Sequence, residues 1–548
     1  MSASDKKKLR KEQAAELLTQ RQRQEQAEAK KLKTYTITFV AVMLAVVVAV
    51  LGILAVRTVN NSGIIQKNTL AATIGDQELN SIELSYYYID AINKSYNEWY
   101  NEFQTSTDMY LEAMGLDTSK PLDEQTNPDT EKSWAQFFVD AALTQAKEDI
   151  ALYNKAVAEK FELPEEEQKS LDNTLKNIET YAQLYGYSNA DQYLRASYGY
   201  GADVESYTEY LTRSTIAQAF NVAHKDGLTY DDKQIREHDD KDPAKYDSYN
   251  YTSLYLSYSD FLEGGEKQED GSVNYTDEQR EAARKALKAA ADKLAKAKNA
   301  EQLEKLADEV KKDKYTPTEY ESQLNTNINA PVNEWLANSK RKAGDVAALA
   351  NTSTTEDEDG KEVTQTNGYY IVIFHKRIDN TKLMSDVRHL LVQFEGGTTD
   401  ETTGTTTYSE EEKNKAKTEA EGYLKTWKEG KADEESFIEL VKEHSDDSTA
   451  SEGGLFENIH PDSSYVDNFL NWSIDADRKK GDAEVIETEF GYHVMYYVGN
   501  SDMNYRDFLI TEELRNDEHT EWYDGLLEAV KVKQGDVSKL KLDMAIAG

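Results

Sequence analysis

Two of the eight histidines in this 548-residue chain, His389 and His493, stand on apolar segments, VRHLLV at 387–392 and GYHVMYYV at 491–498. Imidazoles on a first and a last strand can face each other across the centre of a sheet, with Asp447 beside them at the end of a helix. Such a cluster holds a polar reacting group in a fixed field without any metal. Buried histidine pairs are more often satisfied core residues than catalysts, so the pair alone assigns no role. His444 and His460 match no position of this constellation and are expected on the surface or in loops. Cysteine is absent, which excludes disulfides, a thiol nucleophile and cysteine-ligated zinc. There is no phosphate-cradling glycine loop, nucleophile elbow or zinc-protease helix.

The elements that must position these residues are written twice. Trp335 is followed by LANSKRKAGD and Trp472 by SIDADRKKGD, so both copies read W-x5-R-K-x-G-D. Upstream, Thr276 with Gln279 and Ser409 with Glu412 each form a capping box that opens a helix. Each copy closes on an aromatic strand that begins Gly-Tyr, at Gly368-Tyr369 and at Gly491-Tyr492. Copy one has a strand from Tyr251, a turn at Asp270-Gly271 and a helix from Asp277 to Lys298. Copy two has a strand from Val387, a helix from Glu410 to Lys428 and a second helix around Phe437 to His444. Strand, hairpin, long helix, loop, short helix and strand make an α+β pattern. In this alignment Ser253 stands where His389 stands, and Tyr370 where His493 does. Asp313 falls where Asp447 does, but the Gly-Gly-Leu run ending at Leu455 has no counterpart. The first copy is therefore expected to be degenerate, serving as a spacer or a peptide-binding surface.

Copy two resembles the parvulin-type peptidyl-prolyl isomerases through VRHLLV at 387–392, SFIELVKEHSDDSTASEGGLF at 436–456 and TEFGYHVMYYV at 488–498. The resemblance implies that His389, Asp447 and His493 are the catalytic residues. It implies that Leu455 and Phe490 bind substrate, with a further pocket aromatic or apolar residue from Tyr465, Val466 or Phe469. The segment 461–481 is longer than the common pattern and leaves that last choice open. Rotation about an X-Pro bond faces a barrier of about 18–20 kcal/mol. Lowering it takes an apolar seat for the pyrrolidine ring and a preorganised polar cluster at the twisting amide. No cofactor and no metal are implied. The loop after the first histidine strand, EGGTTDETTG, carries no arginine. Phosphoserine-proline specificity is therefore not expected, and neutral or basic segments are.

The whole layout is similar to the PrsA and SurA families of foldases, which implies a helical chaperone module, unfolded or newly secreted polypeptides as partners, and a place on the outer face of a bacterial cytoplasmic membrane. Length leaves room for roughly three or four domains. The net charge of −39 argues against nucleic acid, whose phosphates demand a basic face. Residues 1–33 carry ten Lys/Arg and five Asp/Glu, a net of +5, leaving −39 − 5 = −44 on the rest. The uncharged run that follows, 34–56, is long enough to cross a bilayer, and too long for a cleaved signal peptide. A single-pass protein is expected, with 1–33 cytoplasmic and the bulk of the chain extracytoplasmic, in contact with the lipid bilayer through 34–56. The expected domains are a helical chaperone-like region at 58–245, a degenerate repeat at 246–380, an isomerase repeat at 381–500 and a helical tail at 501–548 packing back on the first helices. Asp357 and its neighbours resemble part of a calcium loop without the later ligands in register, and a charged hairpin tip is expected there. Nothing in the sequence specifies an oligomeric state. Two rival readings are a non-enzymatic membrane-anchored holdase and a surface scaffold or adhesin.

Overall fold

The computed structural model describes residues 3–103, 111, 114–117, 119–268, 271–356, 361–400 and 404–540. Asp270 and Asp357–Gly360, named above for a turn and a charged tip, lie outside the described residues. The chain divides into two compact units, residues 1–228 with 517–548, and residues 229–516.

The first unit begins with a long helix, α1 (Ala3–Ser62). Within it Val40–Val59 is long and apolar enough to cross a membrane, a window a few residues further on than the uncharged run suggests. A hairpin of β1 (Leu70–Ile74) and β2 (Gln77–Asn80) follows, turned at Gly75 with φ 58°. Next comes α2 (Ser81–Phe103). Asn80 Oδ1 accepts the N–H groups of Ile82 and Glu83 at 2.8 and 3.1 Å, and Glu83 Oε2 accepts the N–H of Asn80 at 2.8 Å. This reciprocal cap fixes where α2 starts. Tyr86, Ile89 and Ile92, at three-residue steps along α2, are buried. They pack with α3 (Trp134–Glu159), α4 (Glu165–Leu184), α5 (Ala190–Tyr198) and α6 (Val204–Asp226). Pro164 is the residue before α4 rather than its first helical residue.

The second unit holds two sheets built alike. The first contains β3 (Ser248–Ser257), β4 (Thr318–Leu324), β5 (Val346–Glu356) and β6 (Glu362–Ile378), in the order β4-β3-β6-β5. Between its strands lie α7 (Asp277–Leu294), α8 (Ala300–Asp308) and α9 (Val332–Leu336). The second contains β7 (Leu383–Gln393), β8 (Leu455–Ile459), β9 (Ala483–Glu487) and β10 (Gly491–Asn504), in the order β8-β7-β10-β9. Its helices are α10 (Glu410–Glu429), α11 (Glu434–His444) and α12 (Asp467–Ser473). Every sheet contact is antiparallel, so the class is α+β. Both capping boxes form, at Thr276 and at Ser409.

The W-x5-R-K-x-G-D segment has one structure in both copies. The guanidinium of Arg341 lies 3.9 Å from the centroid of the Trp335 ring, and that of Arg478 lies 4.5 Å from Trp472, a cation–π contact in each. The aspartate closes the turn by accepting the N–H of Lys342 or Lys479 at 2.9 and 2.8 Å. The glycine then donates to the last strand, Gly344 to Phe374 O at 2.8 Å and Gly481 to Tyr497 O at 2.9 Å. The motif is thus a corner that clamps a short helix to the sheet.

A last helix, α13 (Tyr505–Glu528), contributes residues 505–516 to the second unit. There Arg506 is buried and donates to Asp239 (2.6 Å) and Asp247 (2.9 Å) and to the carbonyl of Asp379 (3.1 Å). Residues 517–540 belong to the first unit. Trp522, Tyr523 and Leu526 pack against Leu152, Ala156 and Phe220, and β11 (Val532–Gln534) pairs antiparallel with β1.

Candidate active site

Side chains alternate between the two faces of a strand, so Val387, His389 and Leu391 of β7 share one face and Arg388, Leu390 and Val392 share the other. Strand β10 pairs with Met495 opposite His389 and His493 opposite Leu391. His493 therefore lies on the same face as His389, at the diagonal position that long side chains can bridge. The two rings are nearly parallel, with centroids 5.0 Å apart and 18° between planes. Their Nδ1 atoms are 2.8 Å apart, and both residues are buried.

One Nδ1 must donate and the other accept. At one end of the pair the Thr488 hydroxyl lies 2.8 Å from His493 Nε2 and accepts the N–H of Phe490 at 3.2 Å. At the other end Asp447 Oδ1 stands 3.5 Å from His389 Nε2. That is a polar contact at the outer limit of hydrogen-bond distance, and among the described residues Nε2 has no closer partner. A carboxylate facing Nε2 favours a proton there. One order fits these contacts: Thr488 O–H donates to His493 Nε2, His493 Nδ1–H donates to His389 Nδ1, and His389 Nε2–H faces Asp447.

Electrostatics agree with neutral His493. Burial, helped by the neighbouring His389 and opposed by Asp447, pushes His493 down to about 3. Asp447 is held well below the ordinary carboxylate range, first by His389 and then by Thr449. The N–H and hydroxyl of Thr449 donate to Asp447 Oδ1 at 2.9 and 2.6 Å. Asp447 can hold this place because the chain turns back sharply after it. Gly453 and Gly454 both have φ in the left-handed region, 76° and 62°, and Gly454 O accepts the N–H of His389 at 2.9 Å. A Cβ on Gly454 would stand 2.2 Å from the carbonyl oxygen of His389.

The histidines lie against an apolar wall of rings. Phe456 and Phe469 approach His389 edge-on, at 4.9 and 5.4 Å between centroids, and Phe469 also meets His493 at 5.7 Å. Tyr465 contacts both phenylalanines, at 5.5 and 5.2 Å. Val466 is half-buried just before α12, in the same cluster as Met495.

Two expected pocket residues stand away from the histidine pair. Leu455 pairs with Arg388, so strand alternation turns it to the face opposite the histidines, and its neighbour Phe456 fills the place assigned to it. Phe490 is 56% exposed and makes no ring contact with either histidine among the described residues. His460 lies in the loop after β8, as expected, half-buried there, stacked 4.1 Å from Tyr505 and pushed down to about 4 by burial, and His444 ends α11, stacked 4.6 Å from Tyr423. Phe456, Thr449 and Thr488 were not singled out from the sequence. Thr488 had a signal, a hydroxyl just before the Gly491 turn that brings the chain back to His493. A cavity lined by Met384, Ile459, His460, Ile474 and Tyr505 opens in the same unit without reaching either site histidine.

Residues 389–499 match the family model described as Rotamase, the PPIC-type PPIASE domain. The second repeat is a parvulin-type peptidyl-prolyl cis–trans isomerase domain. The chain is similar to the PPIase domain of TbPar42, at 21% identity, covering 21% of this chain and 99% of that one, with a TM-score of 0.17. It is similar to PrsA from Bacillus anthracis, described as a peptidylprolyl isomerase, at 21% identity over 28% of this chain and 59% of that one, TM-score 0.17. It is similar to PrsA from Bacillus subtilis at 14% identity over 75% of this chain and 93% of that one, TM-score 0.28. No curated protein matches the chain.

Proposed function

We propose that this chain is a membrane-anchored, extracytoplasmic foldase that receives unfolded or newly secreted polypeptides and isomerises their X-Pro bonds at the second repeat. Helix α1 crosses the bilayer through Val40–Val59, with the basic residues 1–33 on the cytoplasmic side. The observation that carries the catalytic reading is the buried Nδ1–Nδ1 contact of 2.8 Å between His389 and His493, set against the rings of Phe456 and Phe469.

In the planar amide, resonance places negative charge on the carbonyl oxygen and double-bond character in C–N. Twisting removes both. An apolar seat disfavours the polar planar form more than the twisted one, which lowers the barrier by differential binding. Phe456, Phe469 and Tyr465 supply that seat and take the pyrrolidine ring. The hydrogen-bonded histidine pair and the ionised Asp447 hold a fixed field beside the twisting bond, so nothing has to reorganise during rotation. No covalent step or proton transfer is required.

The test is proline-limited refolding of a client protein catalysed by the full-length chain in detergent micelles. The His389→Ala/His493→Ala variant is expected to lose about 100-fold in kcat/KM, the scale of removing a preorganised polar group. Equal acceleration by the variant would overturn the assignment of these residues. Slowed aggregation of the same client by that variant would be the signature of a separate chaperone surface.

A further inference from the structure

We infer that the folded part of the first unit is clamped onto the lipid headgroup layer by a glycine–glycine contact at the end of α1, and that Tyr200 with Ile64 and Ile65 forms the surface that sits there. This rests on the reading above that α1 crosses the bilayer. A span of 20 residues, Val40–Val59, rises about 30 Å at 1.5 Å per residue, the thickness of the hydrocarbon core. Helix α1 continues to Ser62. Gly63 therefore lies about 6 Å beyond the core, within a headgroup layer roughly 5–8 Å deep.

At that depth the chain is not a free linker. The backbones of Gly63 and Gly201 touch: a Cβ on Gly63 would stand 2.1 Å from the Cα of Gly201, and one on Gly201 would stand 2.6 Å from Ile82 Cδ1 and 2.7 Å from the Cα of Gly63. Both have positive φ, 62° and 91°, which glycine adopts at no steric cost. No other residue fits either place. Lys67 Nζ reinforces the contact by pairing with Asp203 Oδ2 at 3.1 Å, which also removes one negative charge from a surface facing lipid. The loop between α5 and α6 is thus fixed within a few ångströms of the helix end.

The residues around this contact are the kind that a membrane interface takes. Tyr200 is 50% exposed, Ile64 55% and Ile65 44%, with Val204 also exposed. Tyrosine concentrates at the headgroup level, where its ring is apolar and its hydroxyl stays wet. The exposed apolar surface is continuous with a helix that ends in the same layer, so its occupant is the leaflet on the carboxyl-terminal side of α1. The consequence for function is orientation, since the clamp sets the helical module at a constant tilt to the membrane instead of leaving it on a swivel.

The absence of native cysteine gives a clean test. Single variants Val47→Cys, Ile65→Cys and Tyr200→Cys of the full chain are labelled with an environment-sensitive fluorophore and reconstituted into phosphatidylcholine–phosphatidylglycerol vesicles. Nitroxide lipids labelled at mid-chain or at the headgroup act as short-range quenchers. The label at 47 is expected to lose most of its emission to the mid-chain quencher, and the labels at 65 and 200 to the headgroup quencher. Adding Gly201→Val should abolish quenching at 200 and leave that at 65. An unquenched label at 200 beside a quenched label at 47 overturns the clamp while leaving the spanning helix intact. An unquenched label at 47 overturns the spanning helix itself. Undiminished quenching at 200 in the Gly201→Val chain overturns the role given to the glycines.

Discussion

The two repeats of the second unit share a sheet and differ in what lies on one of its faces. Their registers coincide: Gly368 pairs with Ser257 as Gly491 pairs with Gln393, and Val372 with Ser253 as Met495 with His389. Position by position, Tyr370 then occupies the place of His493. It packs its ring 4.7 Å from Tyr255, the residue equivalent to Leu391. Where the second repeat has Val387 beside Phe456, the first has Tyr251 stacked on Tyr320 at 4.7 Å and 13°. Asp313, aligned with Asp447, is an exposed residue in a left-handed turn with φ 54°, 4.0 Å from Lys312. The connection after α8 lacks the two glycines that turn the chain after Asp447. One frame thus carries either a stacked tyrosine surface or a polar pair within an apolar wall. The difference lies in a few side chains and one turn.

The shared corner offers the largest effect. Trp472 is buried, while Trp335 is only half-buried, although each lies under its arginine. Trp472→Ala should cost about 3–5 kcal/mol, as for other buried large-to-small aromatic changes, and Trp335→Ala distinctly less. Urea-dependent hydrogen exchange, read separately on peptides from β10 and β6, checks this. Equal losses would mean that the corner supports both sheets to the same degree.

The catalytic contrast comes next. The double histidine variant should lose about 100-fold in kcat/KM, whereas Ser253→Ala/Tyr370→Ala should leave prolyl isomerisation unchanged. A comparable loss from the first-repeat variant would break the comparison by making both sheets active.

Much of this contrast was legible before any coordinates. The capping boxes at Thr276 and Ser409 mark helix starts because a side chain that bonds three residues ahead leaves a local signature. The aromatic strands that open with Gly-Tyr mark one of the two central strands of each sheet because burial on both faces demands a continuous apolar run. The edge strands β4, β5, β8 and β9 did not stand out. They are partly solvated and rich in polar residues, as in TEYESQL of β4, and their identity depends on the partner strand rather than on their own pattern. The same reason explains Leu455. Sequence placed a leucine after two glycines, but which of Leu455 and Phe456 faces the histidines is set by register, and a one-residue shift reverses the faces.

Of the two repeats, the second should be the more sensitive to acid. The folded value of His493 is about 3 against an ordinary 6.5, so the unfolded chain takes up the proton first. The stabilisation is therefore complete above about 6.5 and is lost as pH falls toward 3. Within that window the slope reaches at most about 1.4 kcal/mol per pH unit. Asp447, also lowered, adds a contribution present above about 4 that is lost only below it. Protection of β10 against hydrogen exchange, corrected for intrinsic rates, should fall between pH 7 and 5 while that of β6, with Tyr370 in the histidine's place, holds. Parallel losses in both strands would show that the acid response belongs to the whole unit.

The smallest effect is the most discriminating, because it tests the direction of the hydrogen-bond chain. Thr488 has Gln365 as its counterpart three residues before the Gly-Tyr of the first repeat. If the Thr488 hydroxyl donates to His493 Nε2, then Thr488→Val leaves a buried acceptor unpaired. The order with His493 protonated at Nδ1 then loses its advantage over the reverse order, in which His493 Nδ1 accepts and His389 Nε2 turns a lone pair toward the Asp447 carboxylate. That arrangement is repulsive, so the pair loses its fixed order at a cost of about 1–3 kcal/mol for one unsatisfied buried group. A fall of about tenfold in kcat/KM is expected, with recovery in Thr488→Ser, which keeps the hydroxyl, and no effect from Gln365→Ala. Imidazole nitrogen chemical shifts supply the readout that a merely structural role would not move. In the native chain they should show His493 protonated at Nδ1 and His389 at Nε2, and in the valine variant both assignments should blur. Native shifts with the opposite tautomers would mean that Asp447 does not set the polarity of the chain. The two repeats would then differ in having the histidines, but not in how a carboxylate orders them.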